Sequence, residues 1–303
     1  MQVRRLRTVA VLVIACAAVG ALLVIAPSVD TPTQAQGPES SEVKPAMSEA
    51  RKSLPEPLIC LWQHNQATDI GLLVKELGFN TVWTDDEAYH GQAWEETHMY
   101  RALQVPGVKY VIPKIERAAW GWTQEQSIAS GKWIAGLSLV HKRIIGLYLN
   151  DFYDEIEEGH RTMEQWREII AAIKSVNPDL KLWVPHYPHR HNESQAYDFP
   201  YDAVVFNMWD DRLIPETEKQ LAIARKQHAG KVLIGGIYIN ARERDDKHWL
   251  TEQQFKNMLS LFVREINAGN CDGVRIFCAC QMVQRPEYVK WAKEVLKDLK
   301  PAR

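Results

Sequence analysis

The sequence predicts a (β/α)8 TIM barrel: one α/β domain behind an N-terminal signal or anchor and a tether. Three observations carry that expectation. Eight short β-rich runs alternate with longer amphipathic segments between residues 58 and 299, as in a parallel sheet built from crossover units. The roughly 245 residues left after the tether suit an eight-fold barrel. The first strand runs into Gln63-His64-Asn65-Gln66 without a glycine. An open doubly wound sheet usually has a glycine-rich phosphate turn there, and a closed barrel leaves no edge strand.

The strands are read in order as Leu58–Trp62, Phe79–Trp83, Tyr110–Ile115, Ile144–Asn150, Lys181–Pro185, Ala203–Met208, Val232–Ile239 and Val274–Cys278. Each is short, apolar and rich in β-branched or aromatic residues. Helices are expected over Ala67–Leu77, with Gly78 as C-cap, then Trp94–Leu103 and Thr123–His141. The next is Met163–Val176, capped by Thr162 with Pro178 just beyond. Pro215–His228, Thr251–Ala268 and Pro286–Leu299 complete the set, and Thr251-Glu252-Gln253-Gln254 forms a capping box.

Ahead of these elements, Arg4, Arg5 and Arg7 precede an apolar run from Val9 to Ala26. A basic flank before an apolar core is the pattern of an export signal. The run is also nearly long enough to span a bilayer, so an uncleaved anchor fits equally. Val13-Ile14-Ala15-Cys16 is similar to a lipoprotein cleavage box, although the apolar run continues past Cys16. Each route places the rest outside the cytoplasm, with the membrane touched only through this segment. Residues 1–36 are therefore assigned to the signal or anchor. Residues 37–57, rich in Pro, Ser and Glu, form a tether that cannot bury enough apolar surface to fold. The barrel occupies 58–303.

Beyond residue 36 there are 33 Lys+Arg against 37 Asp+Glu, a net charge of −4. With no basic stripe, that balance excludes a nucleic-acid partner. Cys60, Cys271, Cys278 and Cys280 remain after Cys16 is set aside. No C-x-x-C is present, and Cys278-Ala279-Cys280 is too tight for a zinc knuckle. Buried thiols or one disulfide are expected, with no cofactor and no resident metal.

Barrel active sites lie where the strands end, so the residues after each strand carry the functional argument. Ile144-Ile145-Gly146-Leu147-Tyr148-Leu149 finishes in Asn150-Asp151. A buried strand has no structural need for an amide and a carboxylate at its tip. The other strand ends supply His64, Trp83, Asp85, Glu116, His186, Asn207, Trp209, Asp210, Tyr238 and Asn240. Aromatic faces with amides, His and carboxylates suit a carbohydrate ligand. The acidic run Asp154, Glu155, Glu157 and Glu158 reads as a solvated loop rim.

Gly146-Leu147-Tyr148-Leu149-Asn150-Asp151 resembles the fourth strand of TIM-barrel glycoside hydrolases. Clan A members end it with Asn followed by the acid/base Glu. That resemblance implies that Asn150 bonds a sugar hydroxyl and that Asp151 donates a proton. This chain departs from it with Asp in place of Glu, and with Ile239-Asn240 where the clan A nucleophile ends the seventh strand. Chitinase-like barrels differ at Ile145, Tyr148, Asn150 and Phe152. Alpha-galactosidase-like barrels use Asp on the fourth strand as nucleophile and Asp after the sixth as acid/base, which Asp151 and Asp210 match. The role of Asp151 stays open between the two analogies.

The expected function is a glycoside hydrolase acting on an extracytoplasmic polysaccharide or glycoside. Asp151 and Asp210 would be its carboxylate pair, and Asp85 and Glu116 reserves. A catalytically inactive carbohydrate-binding barrel is the alternative. A metal-dependent hydrolase or isomerase using His186, His189, His191, Asp85, Glu116 and Asp151 comes third.

Overall fold

A computed structural model describes residues 54, 56–63, 67–85, 93–188, 190, 191, 199–242 and 247–300. The signal or anchor, most of the tether, and His64, Asp86, Glu87, His189 and Glu243 lie outside the described residues. Among the described residues no helix is long and apolar enough to cross a membrane.

Eight parallel strands close into a barrel. They are β1 (Leu58–Gln63), β2 (Thr81–Thr84), β3 (Tyr110–Ile115), β4 (Gly146–Leu149), β5 (Lys181–His186), β6 (Ala203–Met208), β7 (Val232–Tyr238) and β10 (Gly273–Phe277). Going round, the order is β1-β10-β7-β6-β5-β4-β3-β2, so β1 closes the ring against β10 with Trp62 opposite Phe277. A short antiparallel hairpin, β8 (Asn240–Arg242) with β9 (Lys247–Trp249), sits between β7 and the helix that follows.

The helices are α1 (Gly71–Leu77), α2 (His98–Gln104), α3 (Gln124–Val140), α4 (Phe152–Glu157), α5 (Met163–Val176), α6 (Thr217–Gln227), α7 (Glu252–Asn267), α8 (Ala279–Gln284) and α9 (Pro286–Leu296). Gly78 closes α1 at φ 69°, a left-handed conformation that glycine enters without steric cost. Thr123–Gln126, Thr162–Gln165 and Thr251–Gln254 form reciprocal capping boxes at the starts of α3, α5 and α7. Each satisfies two backbone N–H groups that an uncapped helix would leave open.

Successive strand side chains face opposite ways, and the two apolar cores follow that alternation. Leu58, Cys60, Trp62, Trp83, Tyr148, Trp183, Val205 and Ile234 fill the barrel interior. Ile59, Leu61, Val82, Leu147, Leu149, Val184 and Phe206 face outward into the layer between strands and helices. Gly146 makes room for the interior: a Cβ there would stand 2.1 Å from Trp183 Nε1.

Several boundaries differ from expectation for identifiable reasons. Phe79 and Asn80 precede β2, and Asn80 ties the flanking segments together with both backbone and side chain: its N–H donates to Ile59 O at 3.0 Å and its carbonyl accepts from Lys109 N and Tyr110 N at 2.8 and 3.0 Å. The side chain adds two bonds. It accepts from Ile59 N at 2.9 Å and donates to Pro57 O at 2.9 Å. Ile144 makes only an isolated bridge to Val111. The acidic run expected as a loop rim is α4, with Asp154 and Glu155 buried.

Candidate active site

The exit of β4 solves a geometric problem. Tyr148 faces the interior, so a straight strand would bring Asn150 inward and turn Asp151 outward. Asp151 instead adopts φ 45°, ψ 33°, the described non-glycine residue with positive φ. That left-handed conformation costs a non-glycine residue about 1–2 kcal/mol. It swings the carboxylate back, and both Asn150 and Asp151 line one cavity of about 390 Å³. Asp151 starts α4 without capping it, which leaves its carboxylate oxygens for other partners.

Six aromatic residues wall that cavity: Trp62, Trp120, Tyr187, Trp209, Tyr238 and Phe277. Lys114, Arg117 and Arg190 supply positive charge, and Asp151, Asp154 and Glu158 negative charge. Tyr187 Oη donates to Asp151 Oδ1 at 2.7 Å, and Arg117 Nη1 lies 3.6 Å from Asp151 Oδ2. Arg117 also reaches Glu158 at 2.8 Å and Glu155 at 3.9 Å. Arg190 holds Asp154 at 3.1 Å and Glu157 at 3.4 Å.

These surroundings raise both pocket aspartates, each against a different set of partners. Burial, reinforced by the neighbouring Asp154 charge, raises the Asp151 carboxyl above its ordinary value, and the Tyr187 hydroxyl and Arg117 oppose that rise. Its side chain keeps 18% exposure. Burial pushes Asp154 up to about 6, against the pull of Arg190 and Arg117. Asp154 is thus a carboxyl group that still carries its proton in mildly acidic water, as a general acid requires.

A buried layer supports the cavity from below. Lys114 bridges Asp85 at 3.1 Å and Glu116 at 2.5 Å. Burial opposes its charge, but the two carboxylates outweigh that and hold the ammonium above its usual value. Trp62 Nε1 donates to Asp85 at 2.6 Å. Arg275, fully buried, donates to Asn207 Oδ1 at 2.6 Å and lies over the rings of Trp62, Trp83, Tyr148 and Tyr238. Gly236 leaves space for that amide, since a Cβ there would stand 2.5 Å from Asn207 Oδ1.

Of the residues expected at the site, Asp151, Asn150, Trp209 and Tyr238 line the cavity. Asp85, Glu116, Trp83 and Asn207 belong to the buried layer beneath it. Asp210 is not among the lining residues, and Arg212 Nε and Nη2 bind its carboxylate at 2.9 and 2.5 Å. His186 faces outward from β5, stacking on Phe206 and meeting His228 Nε2 at 3.0 Å through Nδ1. Asn240 opens the β8 hairpin, and His64 lies outside the described residues. His191, named from the sequence as a possible metal ligand, is fully buried, and its Nδ1 accepts from Tyr187 N at 3.0 Å. Among the described residues no group of three or more His, Cys, Asp or Glu is arranged to hold a metal ion.

Arg117, Arg190 and Trp120 were not singled out from sequence, and Asp154 was read there as part of a solvated rim. Asp154 could have been found, because it follows Asp151 by three residues, one helical turn.

The chain matches no protein-family model, and no curated protein sequence resembles it significantly. Solved structures do resemble it. One is the GH2 β-galacturonidase of Eisenbergiella tayi bound to galacturonate: TM-score 0.53, 15% identity, 82% of this chain and 52% of that one. Another is Cel5A of Thermotoga maritima in complex with cellobiose: TM-score 0.55, 14% identity, 84% of this chain and 100% of that one. A third is the GH128 endo-β-1,3-glucanase of Amycolatopsis mediterranei in complex with laminarihexaose: TM-score 0.50, 8% identity, 79% and 99%. The chain thus spans about half the length of the first of these. The neighbours are glycoside hydrolases built on TIM barrels, and at these identities the likeness is one of fold.

Proposed function

We propose that this barrel is a glycoside hydrolase acting outside the cytoplasm, with Asp154 and Asp151 as its working carboxyl pair. The observation that carries the reading is two carboxyl groups, both raised by burial but held by different partners, in one aromatic-walled cavity at the strand ends. Cleavage of a glycosidic bond needs one carboxyl group to protonate the leaving oxygen and a second to serve as nucleophile or to activate water. Asp154, near 6, suits the first task. Asp151, accepting from Tyr187 and flanked by Arg117, suits the second. The indoles of Trp62, Trp120 and Trp209 offer flat apolar faces for sugar rings. The exported location rests on the basic-then-apolar N-terminal pattern.

The test is release of reducing ends from a panel of polysaccharides. Asp151→Asn and Asp154→Asn should each lower turnover by about 10²–10⁴ with little change in thermal unfolding. Wild-type turnover in either variant would remove that residue from the chemistry.

A second reading is a sugar-binding barrel without catalysis. Arg117 favours it, because its guanidinium pairs with both Asp151 and Glu158 and so offsets part of the charge that catalysis would use. Calorimetric binding of an oligosaccharide, with no reducing ends formed by the wild-type protein, would establish this reading instead.

A further inference from the structure

Beside the cavity, a pair of sulfurs has no part in the chemistry proposed above. Cys278 and Cys280 flank Ala279 at the start of α8, with Sγ atoms 2.8 Å apart. That separation lies inside the contact distance of two unbonded sulfurs and needs only a small further approach for covalent bonding. Cys278 is buried, whereas Cys280 is half-exposed, so an oxidant can reach one member and the other is held against it. Of the remaining described thiols, Cys60 shares the barrel-interior cluster with Cys278 but sits on β1 opposite Arg275, and Cys271 lies in the outer layer.

We propose that Cys278 and Cys280 are a redox pair that closes to a disulfide and pins the wall of the cavity. A hydroperoxide is the oxidant class that fits the single accessible sulfur. Cys280 takes the hydroxyl oxygen as a sulfenic acid and one water leaves. The Cys278 sulfur then attacks the Cys280 sulfur. The S–S bond forms, the S–O bond breaks, and the hydroxyl departs with the Cys278 proton as a second water. Two thiols lose two electrons and two protons, and hydrogen peroxide is reduced to two waters.

The consequence falls on Phe277. It precedes Cys278, lines the cavity, stacks on Tyr238 at 4.7 Å and meets Trp62 edge-on at 5.2 Å. Met282 N donates to Cys278 O at 3.2 Å, so the same residue begins α8. A bond from Cys278 to Cys280 therefore ties the end of β10 to the first turn of α8.

The experiment treats the full chain with hydrogen peroxide, unfolds it, and alkylates with iodoacetamide before and after reduction. Without reductant, Cys60 and Cys271 should be labelled, and the peptide holding Cys278 and Cys280 should be unlabelled and two hydrogens lighter. Reduction should restore two labels to it. Free labelling of both without reduction, a link to Cys60 or Cys271, or a sulfinic acid left on Cys280 would overturn the proposal. Reduction should also lower the thermal midpoint of the oxidised protein by about 3–6 °C, and leave the Cys278→Ser/Cys280→Ser double variant unchanged. An unchanged midpoint in the wild-type protein would refute the pinning.

Discussion

Tyr187→Phe probes the bond on which the character of Asp151 depends. The hydroxyl donates to Asp151 Oδ1 at 2.7 Å, short enough to be charge-assisted. A hydrogen bond to a charged group contributes about 1.5–3 kcal/mol. At 1.36 kcal/mol per unit, its loss corresponds to about one to two pKa units. The bond favours the carboxylate, so its removal moves Asp151 further up from a value that burial has already raised. Phe keeps the ring contacts of Tyr187 with His191 and Trp209, so the fold should persist. The assay is a ¹³C titration of aspartate carboxyl carbons in wild type and variant, with Asp151 assigned by its Asn substitution. Any hydrolytic activity should show its acidic limb moving up by the same amount. An Asp151 titration unchanged by Tyr187→Phe would refute the reasoning.

Three further outcomes follow from the packing and the charges. Burial holds the His228 ring near 2 and the His191 ring near 3, both below the unfolded value of about 6.5. Stability from each is full above pH 6.5 and is lost as pH falls towards the folded value, by about 1.4 kcal/mol per pH unit. Urea unfolding of His228→Gln should therefore show a slope between pH 6 and 4 shallower than wild type by about that amount, and parallel slopes would contradict it. Gly146→Ala forces a Cβ to 2.1 Å from Trp183 Nε1 and 2.9 Å from Lys181 O. It should cost about 1–3 kcal/mol in urea unfolding, and a neutral effect would show that the strand shifts freely. Trp120 is 59% exposed, so Trp120→Ala should leave stability within about 0.5 kcal/mol. The same change should weaken oligosaccharide binding about three- to tenfold by calorimetry. Unchanged affinity would take Trp120 out of the binding surface.

The barrel was legible in the sequence because its signals are local. Caps at Thr162 and Thr251, Gly78 after α1, and short β-rich runs each act within a few residues. The site was less legible because strand ends alone do not say which way a side chain faces. His186 ends β5 with outward parity and joins Phe206 and His228 outside the barrel. Trp83 has inward parity but sits a layer too deep, against Trp62, Tyr148 and Trp183. Asp210 follows β6 as expected, but Arg212 lies two residues on and binds its carboxylate. The acidic run after Asp151 looked solvated because charged residues usually are. Arg117 and Arg190, distant in sequence, and Arg161, just past the run, are what permit Asp154 and Glu155 to be buried.

The division of labour between the two aspartates is tested most directly by leaving-group dependence. A glycoside with a good leaving group, such as dinitrophenolate, needs no proton at the departing oxygen, whereas a sugar leaving group does. Asp154→Asn should therefore lose about 10²–10⁴ in turnover on a polysaccharide yet little on the dinitrophenyl glycoside of the same sugar, and Asp151→Asn should lose activity on both. Equal losses on the two substrates in Asp154→Asn, or full activity in Asp151→Asn, would contradict the account.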